Sequence, residues 1–403
     1  MKNLSLLKTV CVVFVFCAAT AIASPAQVLT TLHSFAGSDG ANPTARLVQA
    51  SDGNLYGTTI EGGANNYGAV YKTTPGGTLT TLYSFAGSDG DNPWAGLVQA
   101  IDGNFYGTTA EGGTNNCVPY YGCGTVFKIT SSGTLTTLHS FAGSDGANPY
   151  AGLVQASDGN FYGTTENGGA NNCAPYYGCG TVFKITSSGA LTTLHSFARS
   201  DGAYPGAGLV QAIDGNFYGT TYVGGTNNYG TVFKITPTGT LTTLHSFNGT
   251  DGGFVSAGLT AASDGNFYGT TENGGANNYG TVFKITPQGT LTTLHSFDGS
   301  DGANPADGLL QASDGNFYGA TSYGGASNDC YGGCGTVFKI TSSGTLTTLH
   351  SFAGSDGANP PARLVQASDG NLYGTTYVGG ADGRGTVFRL VTVRACAICP
   401  SIE

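Results

Sequence analysis

The sequence predicts an all-β chain, a seven-bladed β-propeller with four antiparallel strands per blade, closed by the N-terminal strand completing the last blade. Three observations carry this. Leu-Thr-Thr-Leu recurs at Leu29, Leu79, Leu135, Leu191, Leu241, Leu291 and Leu346, a spacing of 50–56 residues. Each unit divides into short β-prone segments parted by Gly, Asp, Asn and Pro, without helical periodicity. The array opens with one such segment and ends with three. Self-similarity at this period, with four strands per unit, is the signature of propeller blades.

The unit from Leu135 shows each element in order. Leu135–Phe141 is a strand, followed by the loop Ser144-Asp145-Gly146-Ala147-Asn148-Pro149. Leu153–Ala156 is a short strand. Ser157-Asp158-Gly159-Asn160 is a tight turn, because Asp-Gly suits the backbone twist of a hairpin. Phe161–Thr165 is the next strand, and a glycine-rich loop leads to Thr181–Thr186. Ser187-Ser188-Gly189 then turns into the following unit. Val182, Phe183 and Ile185 place apolar groups on both faces of one strand, as sheets stacked around an axis require. The leading strand Leu29–Phe35 is expected to join Leu364–Ala367, Leu372–Thr376 and Thr386–Val391, which removes exposed sheet edges. The short turns then share one face and the long loops the other. Loops on a rigid scaffold are where function concentrates.

Residues 1–23 read as a signal peptide: Lys2 and Lys8, an apolar run from Val10 to Ala23, and the small-residue site Ala21-Ile22-Ala23. Residues 24–393 are the expected propeller and 394–403 a short tail. No further apolar run of about 20 residues follows, so no membrane span is expected after cleavage. Eight cysteines outside the leader fall in near pairs: Cys117/Cys123, Cys173/Cys179, Cys330/Cys334 and Cys396/Cys399. Local, even pairing in an exported chain reads as disulfides, and places the protein outside the cell or on its surface. The tail pair Cys396-Ala397-Ile398-Cys399 ends a β array, so it reads as a disulfide or a disordered pair rather than a redox site. Hydrophobic residues at 39% are too many for a disordered chain. A net charge of −10, without a basic stripe, argues against nucleic acid as a partner. A monomer is expected.

The run Asp214-Gly215-Asn216-Phe217-Tyr218-Gly219-Thr220-Thr221, through Gly224-Gly225, to Tyr229-Gly230-Thr231-Val232-Phe233-Lys234-Ile235 resembles the Gloeobacter–Verrucomicrobia tandem repeat. Every unit carries it, over about residues 29–391. The resemblance implies an exported bacterial protein with a propeller-like array, a family whose members carry various C-terminal surface anchors. It implies no defined activity, catalytic residue or cofactor. Only three residues follow Arg394-Ala395-Cys396-Ala397-Ile398-Cys399-Pro400, without an apolar anchor helix. The double glycine is also similar to kelch repeats, but the kelch Trp is missing.

A residue needed once per blade reads as structural, so function is sought where the symmetry breaks. His33, His139, His195, His245, His295 and His350 occupy one repeat position, with Tyr83 in the remaining unit. On outermost strands they cannot converge on a metal, and no unique His remains for a catalytic triad. The Asp-Gly-Asn aspartates are turn formers. Asp39, Asp89, Asp145, Asp201, Asp251, Asp301 and Asp356 form a ring of loop carboxylates. Calcium is one use for such a ring, but ordinary turn chemistry explains it better, and no metal is expected.

Four features depart from the repeat. Trp94 and Tyr150 share one position in neighbouring blades, which also carry the inserted loops with Tyr120, Tyr121, Tyr176 and Tyr177. Tyr204 and Phe254 add aromatics in the next two. Flat rings with polar edges suit sugar stacking, although they also serve as cover for loop backbone. Arg46 and Arg363 replace a glycine in the first and last blades, near Asp307. They read as a salt-bridged closure or as contacts for a small anion at the channel mouth. A variable pair follows the third strand, and it brings Glu61, Glu111 and Glu166 into consecutive blades. The fourth is the cysteine tail. These features point to a non-catalytic exported propeller that binds a glycan or a surface protein on its long-loop face. The alternatives are a carbohydrate-active lyase or hydrolase, and a spacer in a cell-envelope assembly.

Overall fold

The computed structural model describes residues 27–391 apart from 115, 116, 118–121, 172, 174–177 and 306. The expected leader, the tail with Cys396 and Cys399, and Tyr120, Tyr121, Tyr176 and Tyr177 lie outside the described residues.

Seven four-stranded antiparallel sheets follow one another, with no helix among the described residues. Blade 1 runs from the inner strand Val48–Gln49 through Leu55–Thr59 and Ala69–Thr73 to the outer strand Leu79–Ser84. Blades 2 to 6 repeat the pattern from inner strands Val98–Gln99, Val154–Gln155, Val210–Gln211, Thr260–Ala261 and Leu310–Gln311. Blade 7 takes Val365–Gln366, Leu372–Thr376 and Thr386–Leu390, and the N-terminal strand Leu29–Ser34 pairs with Thr386–Leu390 to complete it. The closure expected from the ends of the array is therefore present, and the fold is a seven-bladed β-propeller.

Inner strands are shorter than the sequence suggests, two residues rather than four. In blade 3, Ala156 has already entered the hairpin turn: its N–H donates to Asn160 O, and its carbonyl accepts from Gly159. The outer strands end one residue earlier than expected, at Ser140 rather than Phe141 in Leu135–Ser140, and carry a register shift, as between Val182 and Phe183 opposite Leu191–Ser196.

Packing between blades explains the double-sided apolar pattern. Tyr106 of blade 2 stacks on Phe161 of blade 3 with centroids 4.1 Å apart. The same pair recurs as Tyr56–Phe105, Tyr162–Phe217, Tyr218–Phe267 and Tyr268–Phe317. Each such contact adds about 0.5–1.5 kcal/mol beyond area burial. The Tyr hydroxyls emerge on the short-turn face and donate to the turn aspartate, as Tyr106 does to Asp102 at 2.9 Å.

A polar belt also circles the axis on that face. Gln99 accepts the N–H of Ser51 in the preceding blade at 2.9 Å. Gln155, Gln211, Gln311, Gln366 and Gln49 repeat this contact on Ile101, Ser157, Ser263, Ser313 and Ser368. Only the junction of blades 4 and 5 departs, because Ala261 stands at the glutamine position. The disulfides Cys117–Cys123, Cys173–Cys179 and Cys330–Cys334 form as the spacing predicts.

Candidate ligand-binding face

The repeated acids serve the scaffold. His139 Nε2 lies 2.9 Å from Asp145 Oδ2, and Asp145 Oδ1 accepts the Ala142 N–H at 2.8 Å. The other five histidines pair in the same way with Asp39, Asp201, Asp251, Asp301 and Asp356. Tyr83 takes the histidine role by donating to Asp89. These carboxylates close their own loops beside the outer strands. No group of three or more His, Cys, Asp or Glu among the described residues is arranged to hold an ion. On the opposite face, Asp102 accepts bonds from Asn104, Tyr106 and Lys128. Partial desolvation opposes, but these bonds win and pull its carboxyl down to about 2.

The long-loop face is built by a short backbone ladder in each blade. In blade 2, Asp91 and Glu111 exchange N–H···O bonds of 2.9 and 3.0 Å, and Ala110 N–H donates to Asn92 O. This ladder holds the loop against the end of the third strand and delivers the next residues to the channel rim. Trp94 and Tyr150 stand at that rim. Their rings meet edge to face, centroids 5.6 Å apart and planes at 77°. Trp94 is 37% exposed and its carbonyl accepts from Thr44, which fixes the loop on its far side.

Acids belong to the same loops and strand ends as the ring pair. Asp91 is buried, and burial followed by the charge of Glu111 pushes it up to about 6. Burial also raises Glu111, against an opposing bond from the Asn92 side chain. Burial pushes Glu166 of blade 3 up to about 7. In blade 4 the rim position of Trp94 and Tyr150 is Gly206, where a Cβ would stand 3.9 Å from Glu166 Oε2. Tyr222 follows, raised by burial and then by Glu272 and Glu166, and its ring lies 5.4 Å from Phe254. Rings and carboxyls that burial pushes upward therefore run in an arc from blade 2 to blade 5.

Several expectations change at this level. Glu61, Glu111 and Glu166 lie in consecutive blades but do not share one place in the variable pair. Glu61 and Glu111 take the second place of the variable pair and Glu166 the first, and side chains alternate along an extended chain. The row that forms is Glu166–Tyr222–Glu272. Tyr204 is not a surface ring. It is 7% exposed, and its hydroxyl donates to Cys173 O at 3.1 Å. It occupies the left-handed position filled by Asn in five other blades, with φ of 59°. Asp91 was missed, although comparing units exposes it, because six units carry Ala or Gly there.

Blades 7 and 1 carry the opposite charge. Residues 45–59 and 362–376 share the identical run Ala-Arg-Leu-Val-Gln-Ala-Ser-Asp-Gly-Asn-Leu-Tyr-Gly-Thr-Thr. Arg46 is exposed and Arg363 half-buried. Both line an axial cavity of about 300 Å³, with Leu47, Val48, Gln49, Leu310 and Leu364–Gln366. The expected salt-bridged closure is not there: neither arginine pairs with a carboxylate within 4.0 Å among the described residues. Asp307 Oδ2 instead accepts the backbone N–H of Arg363 at 2.7 Å, and Oδ1 that of Gly308 at 2.6 Å. Burial and then the nearby Arg46 push Arg363 down to about 10, with Asp307 opposing, so the Arg363 guanidinium stays charged at neutral pH.

Comparison with known proteins places the chain. The Gloeobacter/Verrucomicrobia repeat matches residues 19–173, 119–330 and 308–396, three overlapping stretches across the array. The chain belongs to the Gloeobacter/Verrucomicrobia repeat family. None of the curated proteins matches this family member. Among solved structures, a streptogramin B lyase is similar with a TM-score of 0.63 at 14% identity, over 91% of this chain and 97% of that one. The virginiamycin B lyase from Staphylococcus aureus is similar with a TM-score of 0.61 at 13% identity, over 91% and 99%. At such identities the likeness is one of fold, and this repeat-family propeller takes no activity from it.

Proposed function

We propose that this protein is an exported, non-catalytic propeller that binds an extracellular ligand on its long-loop face, a glycan in preference to a surface protein. One observation carries the reading: the Trp94–Tyr150 edge-to-face pair, presented at the rim where other blades have Thr, Gly, Ser, Ala or Pro. An aromatic edge beside hydrogen-bonding acids suits a sugar ring, whose C–H face stacks while its hydroxyls find acceptors. Three disulfides support the export part, since such bonds persist in oxidising compartments. Residues 1–23 supply the leader. No described helix is long and apolar enough to cross a membrane.

The test is a glycan and polysaccharide array probed with residues 24–403, with product analysis in the same wells. Retained ligand without product, lost in Trp94→Ala, supports the reading. A folded protein that retains nothing rejects it and favours a spacer role.

A carbohydrate-active enzyme is a second reading, favoured by the raised carboxyls of Asp91 and Glu111. Asp91, pushed up to about 6, lies in the range suited to proton transfer at neutral pH, and burial raises Glu111 in the same direction. Turnover that disappears in Glu111→Gln while binding persists would select this reading.

A further inference from the structure

We propose that the axial cavity between blades 6, 7 and 1 is a binding site for a small organic oxyanion, whose charged group is held by Arg46 and Arg363. This site is separate from the aromatic rim.

The scaffold does not ask for arginine there. The equivalent residues of blades 2 to 6 are Gly96, Gly152, Gly208, Gly258 and Gly308, packed against the carbonyl of the preceding blade. A Cβ on Gly96 would stand 2.7 Å from Arg46 O, and one on Gly308 2.4 Å from Gly258 O. The ring favours the smallest residue, yet two neighbouring blades carry the longest cation, and both arginines line the same cavity.

The charges are not matched from within. Two guanidinium groups share the site with one carboxylate, Asp307, which is held by two backbone N–H groups. Arg363 Nε is buried without a hydrogen-bond partner. Like charges drawn together in a chain of net charge −10, with a buried donor unused, form a site completed by an incoming anion. The planar fork of a guanidinium matches a carboxylate or a phosphate two bonds at a time.

Size and lining narrow the class. A volume of about 300 Å³ lies at the lower end of small-molecule sites, enough for one monosaccharide acid or sugar phosphate. Along the inner strands the arginines are followed by aliphatic Val48, Leu310 and Val365 and then by Gln49 and Gln366, whose amides are tied into the glutamine belt. A charged head on a partly apolar, hydroxylated body fits that gradient.

The experiment is calorimetric titration of residues 24–403 at low salt with glucuronate, glucose 6-phosphate, inorganic phosphate and neutral glucose. We expect saturable binding of at least one organic oxyanion and none of glucose. The glucuronate and sugar phosphate arms tell the two head groups apart. Arg46→Gln and Arg363→Gln should each weaken binding about tenfold or more, the scale of a charge-assisted hydrogen bond. Arg46 is exposed, so Arg46→Gln keeps its melting temperature and decides the matter even if Arg363→Gln fails to fold. Trp94→Ala should leave anion binding unchanged, which separates this site from the rim. Binding of phosphate alone, no anion binding by folded protein, or binding that survives Arg46→Gln would overturn the proposal.

Discussion

Trp94 and Tyr150 meet edge to face across the junction of blades 2 and 3, 5.6 Å between centroids, although 56 positions separate them in sequence. The repeat brings them together, because residues one unit apart become neighbours on the rim. Trp94 is 37% exposed, so its truncation removes little core. Trp94→Ala and Tyr150→Ala are each expected to weaken glycan binding about tenfold or more, as central aromatic anchors do. The melting temperature of Trp94→Ala should move by less than about 4 °C. Equal loss of binding and of folding, followed by circular dichroism, would identify the pair as structural cover.

Glu166 sets a pH dependence of opposite sign to the turn aspartates. Burial lifts its folded value from the ordinary 4.5 to about 7, so between those values the native state holds a proton that the unfolded chain releases. Its contribution to stability therefore falls as pH rises through that window. Glu166→Gln should melt close to wild type at pH 4 and above it at pH 8. A melting difference that does not grow between those two pH values would show that Glu166 is not held neutral.

Tyr71 is the one tyrosine at a position where the other blades carry Phe127, Phe183, Phe233, Phe283, Phe338 and Phe388. Its hydroxyl is buried without a hydrogen-bond partner, and burial pushes the phenol upward. Tyr71→Phe removes an unsatisfied donor from the core between blades 7 and 1 and keeps the ring. The variant should be more stable by about 1–3 kcal/mol, read from denaturant midpoints at unchanged slope. A variant less stable than wild type would mean that the hydroxyl has a partner in solution.

Much of the fold was legible because the repeat writes it seven times. Leu-Thr-Thr-Leu marks each outer strand, Asp-Gly-Asn each hairpin, and the single leading strand the closure. The candidate site was legible only in part. Trp94 with Tyr150 and Arg46 with Arg363 stood out as substitutions in a regular background. The variable pair that holds Glu166, Tyr222 and Glu272 stood out too, but not the row they form, because their approach depends on which side of the strand end each residue leaves. Tyr204 looked like another surface ring. It is buried because it replaces Asn in a left-handed turn that points inward to Cys173.

The glutamine belt gives a test of the architecture itself. Six blade junctions are tied by a Gln side chain accepting a backbone N–H from the preceding blade, at 2.7–3.0 Å. At the seventh junction Ala261 faces the turn containing Ile213, and both residues are exposed, which leaves room for a longer side chain. Ala261→Gln should restore the missing link to the Ile213 N–H. The expected gain is about 0.5–1.5 kcal/mol, the net worth of one such bond, and it should appear as slower amide exchange at Ile213 as well as a higher melting temperature. Faster exchange or a lower melting temperature would show that blades 4 and 5 are joined in a way that excludes the glutamine.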